Sequence, residues 1–257
     1  MNIDLEKAQK EFIKYTEKYN LKEESIERKQ KHSLRVMKIS EEIATNLKLG
    51  KEEIQIATLI GLLHDIARFE QYTQYKTFKD VESFDHGDYG VKILFEDGMI
   101  RKFIETNEYD EIIKKAIKNH NKFAIGEGLN KDEMLFAKII RDADKIDIIY
   151  EATGMFWEGQ EEGINNSKIS EKMWNSVIER KMFKREKGMN LIGLDNVISV
   201  IVFIFDMYFT ESFQILQQKN YINLIIDRFN PLYEKERIEE LRNIANEYIK
   251  QNASEKK

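Results

Sequence analysis

Four histidines stand out in this 257-residue chain, and all lie in its first half: His32, His64, His86 and His120. His64 is followed directly by Asp65, inside the apolar stretch Ile60-Gly61-Leu62-Leu63-His64-Asp65-Ile66-Ala67. An ionised carboxylate buried in such a stretch needs a cation or several hydrogen-bond donors. Two readings of the pair are open: a His-Asp pair bonded within the core or at a helix end, or two ligands of one metal ion. A second acidic cluster, Asp142, Asp144 and Asp147, interrupts an otherwise apolar helical pattern. Asp144 and Asp147 share a helical face and Asp142 does not. The chain has no cysteine, so disulfides, thiolate metal sites and cysteine nucleophiles are excluded. Any metal must be held by imidazole and carboxylate.

The elements that would position these residues are helices. Pro231 is the only proline, Gly is modest at 12, and Lys, Glu, Ile and Leu are abundant. Apolar periodicity predicts helices over 4–18, 24–47, 51–68, 86–96, 100–106, 109–120 and 132–149. His32 falls inside the second and His64-Asp65 inside the third, with Gly50 between them. His86 opens one helix, His120 closes another, and Asp144 lies on the last. Residues 70–84 show no clear period and read as a loop whose aromatics pack it on the bundle. Past Tyr150 there are no histidines. Residues 151–169 read as a glycine-containing connection, and helices are expected over 170–183, 192–217, 219–229 and 232–250. The tail 252–257 reads as frayed. The expectation is an all-α protein, with a histidine-bearing domain over 1–150 and a helical extension over 151–257 that packs on it or continues it.

Composition narrows the function. Forty-one Lys+Arg against 46 Asp+Glu give a net charge of −5, so no broad basic face for duplex nucleic acid is implied. A small anionic substrate is compatible, because a bound metal supplies local positive charge. The first 20 residues lack an apolar signal-peptide core. The longest apolar run, Val197–Phe205, is short of the ~20 residues that span a bilayer. A cytoplasmic protein without membrane partners is expected.

In order, His32, His64-Asp65, His86, His120 and Asp144 reproduce an H…HD…H…H…D pattern. Over roughly residues 24–150 the chain resembles the HD-domain metal-dependent phosphohydrolase superfamily. Leu62-Leu63-His64-Asp65-Ile66-Ala67-Arg68 is similar to its LLHDIG(K/R) segment, with Ala67 in place of the commoner Gly. Asp85-His86-Gly87-Asp88-Tyr89-Gly90 and Ala143-Asp144-Lys145-Ile146-Asp147 are similar to later motifs. The resemblance selects Asp144 from the acidic cluster and implies a helical bundle around a metal centre. It implies that His32, His64, Asp65 and Asp144 bind one metal, and that Asp65 bridges to a second held by His86 and His120. Such a donor set suits one or two divalent Fe, Mn, Co, Ni or Zn ions. Two ions ~3.5–4 Å apart would clamp a phosphoryl oxygen and acidify a water, so a small phosphorylated substrate is expected. Asp65 and Arg68 are then the catalytic candidates. Arg68, one turn past His64, is the first candidate to hold a substrate phosphate, with Lys122 and Lys145 next. Asp147 is a candidate to orient a ligand from behind.

Two other functions share this ligand list: a di-iron oxygenase of the same fold, and a regulatory module that keeps the metal without catalysis. The amphipathic last helix, with Leu241, Ile244, Ala245 and Ile249, fits intramolecular packing or a homodimer.

Overall fold

Histidine-bearing helices can converge only if their backbones approach closely, and the closest approach falls at a glycine. A computed structural model describes residues 3–186 and 188–254 of the chain. Helix α1 (Leu5–Thr16) starts at Asp4, whose carboxylate accepts a bond from the Lys7 amide. It buries Ala8, Phe12 and Tyr15, the stripe expected of a surface helix. Helix α2 (Glu24–Asn46) buries His32 in line with Val36, Met37, Ser40 and Ile43. The chain reverses through residues 47–50 into α3 (Lys51–Leu63). A Cβ placed on Gly61 of α3 would lie 2.6 Å from Ser40 Oγ and 2.9 Å from both Met37 Cα and Val36 O. Farther along α3, His64 meets His32. Rising numbers on one helix face falling numbers on the other, so α2 and α3 are antiparallel.

The predicted helix over 51–68 is in fact two elements. α3 stops at Leu63, and the chain tightens through i→i−3 bonds, Ile66 N–H to Leu63 O and Arg68 N–H to Asp65 O. Helix α4 (Arg68–Tyr75) follows, so the predicted loop is helical in its first part, and 76–85 is irregular apart from a 3₁₀ turn, Asp80–Glu82. Phe69 is fully buried against Phe12 and Tyr15, as a packing aromatic. α5 (His86–Val91) is capped by Asp85 and runs into a π-helical turn over Lys92–Glu96. Only a short 3₁₀ turn, Met99–Lys102, occupies the predicted helix over 100–106. α6 (Asp110–His120) and α7 (Lys131–Ala152) complete the set.

The protein is all-α, with no strand among the described residues. It divides into two compact units, Met1–Asp144 and Lys145–Lys257, the division falling inside α7. The second unit holds α8 (Glu161–Asn165), α9 (Glu171–Ile178), α10 (Gly193–Ile201), α11 (Thr210–Lys219), α12 (Tyr221–Asp227) and α13 (Lys235–Ser254). α8 lies within the predicted connection. α9 ends earlier than expected, ahead of Arg180 at φ 53°. The predicted helix over 192–217 breaks at a 3₁₀ turn, Val202–Asp206, and at extended Met207. Apolar periodicity could not reveal that break, because the residues on both sides of it are apolar. The expected fraying at 252 is not seen, since α13 continues to Ser254; residues 255–257 lie outside the described residues. No helix is long and apolar enough to cross a membrane.

Gly61 makes a direct prediction. Gly61→Ala forces α2 and α3 apart and should cost about 1–3 kcal/mol of stability, as overpacking in a tight core does. Urea unfolding measures it, and a variant as stable as the parent would show that the helices can part freely.

Candidate metal centre

The middle of α2, the turn after α3, the start of α5 and the end of α6 bring all four histidines of the first unit around one carboxylate. Asp65 is 2% exposed, and its two oxygens face different partners. Oδ2 lies 3.5 Å from His32 Nε2 and 3.6 Å from His64 Nε2. Asp144 Oδ1 completes that group, 3.1 Å from His32 Nε2 and 3.6 Å from His64 Nε2. Oδ1 of Asp65 lies 3.4 Å from His86 Nε2 and 3.6 Å from His120 Nε2. Within each group, His32 Nε2 and His64 Nε2 are 3.2 Å apart, and His86 Nε2 and His120 Nε2 are 3.0 Å apart. The clusters His32–His64–Asp144 and His64–Asp65–His120 each have the spacing that could hold a metal ion.

The ring partners say which nitrogen is free. His64 Nδ1 lies 2.8 Å from Gly61 O and His120 Nδ1 lies 2.6 Å from Ile117 O. A carbonyl only accepts, so each Nδ1 carries the hydrogen and donates. His86 Nδ1 likewise donates to the Asp80 carboxylate at 2.6 Å. In a neutral ring with Nδ1 as donor, Nε2 presents a lone pair, and two such rings with Nε2 atoms 3.0 Å apart, the spacing of His86 and His120, have no hydrogen between them. Such an arrangement repels unless a cation sits among the donors. The donor set therefore fits a divalent metal of the imidazole–carboxylate class.

Electrostatics keep the donors in the required state. Burial pushes the His64 and His86 imidazolium pKa values down, His86 to about 4, so both rings are neutral near pH 7. Burial alone would raise the Asp65 pKa. The Lys29 charge, the neighbouring histidines and Arg68 outweigh it and hold the carboxyl well below its ordinary range. Burial opposes ionisation of Asp144 too, and the hydrogen bonds of His32 and His64 overcome it.

All six predicted ligands are thus brought together: His32, His64, Asp65, His86, His120 and Asp144. The predicted substrate cations fare differently. Arg68 is at the site, its Nε 3.4 Å from Asp65 Oδ1, but its Nη1 is engaged by Gln71 Oε1, Phe78 O and Asp80 Oδ1. Lys122 is tied to Asp85 at 2.6 Å and Asp88 at 2.8 Å. Lys145 belongs to the second unit, where it bonds Asp206. Asp147 is buried in that unit as well.

Three neighbours were missed from sequence. Lys29 Nζ bonds Asp65 Oδ2 at 2.7 Å. Its signal was available, because it lies three residues before His32 on the same helical face. Asp80 and Gln71 gave no such signal. Asp80 sits in the irregular segment, and Gln71 is a polar residue on a helix that read as a loop.

Residues 30–149 match the HD domain family. The matched span opens just ahead of His32 and closes just past Asp144. No curated protein and no solved structure matches the chain. The span 30–149 is an HD domain, of a superfamily most of whose members are metal-dependent phosphohydrolases.

The buried neutral histidines predict an acid-labile metal-free protein. In the unfolded chain a histidine titrates near 6.5, whereas folded His86 resists protonation down to about 4. The unfolded state therefore binds protons first as pH falls, and stability should drop between about pH 6.5 and 4. His64 acts in the same direction. Asp65 and Asp144 add a loss only below their unfolded value of 3.8. Urea midpoints in chelator at pH 7.5, 6 and 5 should fall in that order. A flat profile would mean that the rings are not buried neutral.

Proposed function

We propose that the protein is a metal-dependent phosphohydrolase that cleaves a phosphoester of a nucleotide or another small phosphorylated metabolite. The observation that carries this reading is the division of Asp65, one oxygen toward His32, His64 and Asp144 and the other toward His86 and His120. His32, His64, Asp65 and Asp144 would hold one divalent ion, and Asp65, His86 and His120 a second. When bound, such ions supply Lewis-acid charge for a phosphoryl oxygen and lower the pKa of water.

The chain's own residues do the rest. The Gly61, Ile117 and Asp80 acceptors lock three imidazoles with Nε2 inward, so little reorganisation is needed at the moment of reaction. Asp65 stays ionised and acts as a shared ligand. Lys29 and Arg68 flank it with fixed positive charge, where charge on a phosphoryl oxygen would develop. Phosphoryl transfer depends mainly on positioning and charge neutralisation, so this compact set suffices without a separate nucleophilic side chain.

The test is a panel of nucleotides and small phosphoesters offered to protein loaded in turn with Mn, Co, Ni, Zn and Fe. Release of phosphate or of a nucleotide from at least one member is expected, with His64→Ala and Asp65→Ala each lowering kcat/KM by at least ~10³-fold, as loss of a metal or its shared ligand would. Full activity in both variants would sink the reading. Oxygen uptake by the iron form with an organic substrate would favour the oxygenase, and silence of every metal form across the panel would favour a regulatory module.

A further inference from the structure

His86 differs from the other inward-facing rings whose back-side partner is known. His64 and His120 lean on carbonyls of their own helices, three residues back. His86 leans on a side chain from outside its helix, Asp80, in the irregular segment over 76–85. Asp80 is also a node. Its Oδ2 accepts from His86 Nδ1 at 2.6 Å and from Asn121 Nδ2 at 3.1 Å. Its Oδ1 accepts from Arg68 Nη1 at 3.0 Å and from Gln71 Nε2 at 2.9 Å. Four donors thus converge on one carboxylate.

The same α4 side chains that hold Asp80 also fasten its segment. Arg68 Nη1 donates to Phe78 O at 2.6 Å. Gln71, fully buried, donates to Ser83 Oγ at 2.8 Å and to Phe84 O at 3.1 Å. The rings of Phe78 on Tyr72 and of Phe84 on Tyr75 and Tyr89, and the bonds of Asp85 to Asn121 and Lys122, complete the docking. Asp80 ties this docked segment to the orientation of His86. If the segment leaves, Asp80 leaves with it, and the His86 ring loses the acceptor that fixes Nδ1 as donor and Nε2 as ligand.

We infer that Asp80 is a positioning residue that couples placement of the 76–85 segment to metal binding at His86 and His120, so that the second ion binds only with the segment docked. This rests on the two-ion reading of the site. It follows that the ions are unequal. The position built by His32, His64, Asp65 and Asp144 has no ligand oriented by Asp80, while the His86–His120 position is conditional on it. By reciprocity, binding the second ion must hold the segment down as firmly as the docked segment favours the ion.

Metal-free full-length protein is titrated with Mn²⁺, and at each loading trypsin cleavage after Lys76 and Lys79 is timed, both side chains being solvent-accessible. Wild type should bind two ions per chain, the second slowing cleavage in the segment. Asp80→Asn keeps the shape and removes the charge. It should leave the first Kd unchanged, weaken the second about 10–100-fold, the usual cost of losing a ligand's back-side carboxylate, and abolish the protection at the same Mn²⁺ concentration. Asp80→Glu, which restores the charge on a longer arm, should recover part of the second-ion affinity, and it decides the matter if Asp80→Asn does not fold by circular dichroism. A second Kd in Asp80→Asn equal to that of wild type overturns the inference, as does protection by the first ion alone. A single ion in wild type removes the two-ion reading and the inference together. Two ions with the expected Asp80 effect but no hydrolysis of any phosphoester leaves the inference standing and removes only the proposed reaction.

Discussion

A carboxylate with almost no solvent cannot stay ionised unless its surroundings are organised for it. Asp65 is that carboxylate. One oxygen is held by Lys29 and faces two histidines; the other faces two more, with Arg68 close by. Those six contacts come from five stretches of chain: α2, which gives both Lys29 and His32, the turn after α3, the start of α4, the start of α5, and the end of α6. Five separate stretches are thereby obliged to meet at one point. The bundle of the first unit can be understood as the packing that satisfies this residue.

Local backbone geometry serves the same end. Had α3 continued as a regular α-helix through Arg68, its backbone bonds would have stayed in the i→i−4 pattern. The i→i−3 tightening over 64–68 ends the helix as soon as it has delivered His64 and Asp65 to the centre. Gly61 lets α3 press onto α2 one turn earlier, which sets the distance from His32 to His64. Gly87 has the corresponding role between α5 and α6. A Cβ there would meet Asn121 Oδ1 at 2.5 Å and Ile117 O at 3.1 Å, and this same approach brings His86 onto His120. The small residues and the ligands are parts of one device: glycine permits the approach and histidine uses it.

This explains what could be read from the sequence and what could not. The convergence of His32, His64-Asp65, His86, His120 and Asp144 was legible because residues able to ligate a metal must be particular types in a particular order, whatever the loops between them do. Most helices of the first unit were legible because each buries one stripe. The α3–α4 break was not, since the apolar pattern runs through the turn without interruption. Helical spacing put Arg68 one turn past His64, and it lies beside Asp65, yet spacing cannot say that its Nη1 is already shared among Gln71, Phe78 and Asp80. Lys122 and Lys145 show the same limit, because adjacency to a ligand in sequence does not predict which acid a lysine finds. Asp80 and Gln71 lay beyond reach altogether. Their roles come from a tertiary contact between an irregular segment and a helix, and no periodicity records it.

Charge at the centre gives a reason for the two cations that flank Asp65. With neutral imidazoles, Asp65, Asp80 and Asp144 contribute three negative charges, and Lys29 and Arg68 two positive ones, so the cluster without metal carries −3 + 2 = −1. That is a small imbalance for a buried site, and it lets the donors assemble before any ion arrives. Without Lys29 and Arg68 it would be −3, and the repulsion among buried carboxylates would oppose folding. Under the proposed reading, two divalent ions turn −1 into +3, which matches a polyanionic phosphoester better than a neutral metabolite. Lys29 and Arg68 therefore serve two states at once. Under that reading they make the metal-free site foldable, and they would leave the metal-loaded site with excess positive charge, the condition under which a protein of net charge −5 can draw an anion to one point.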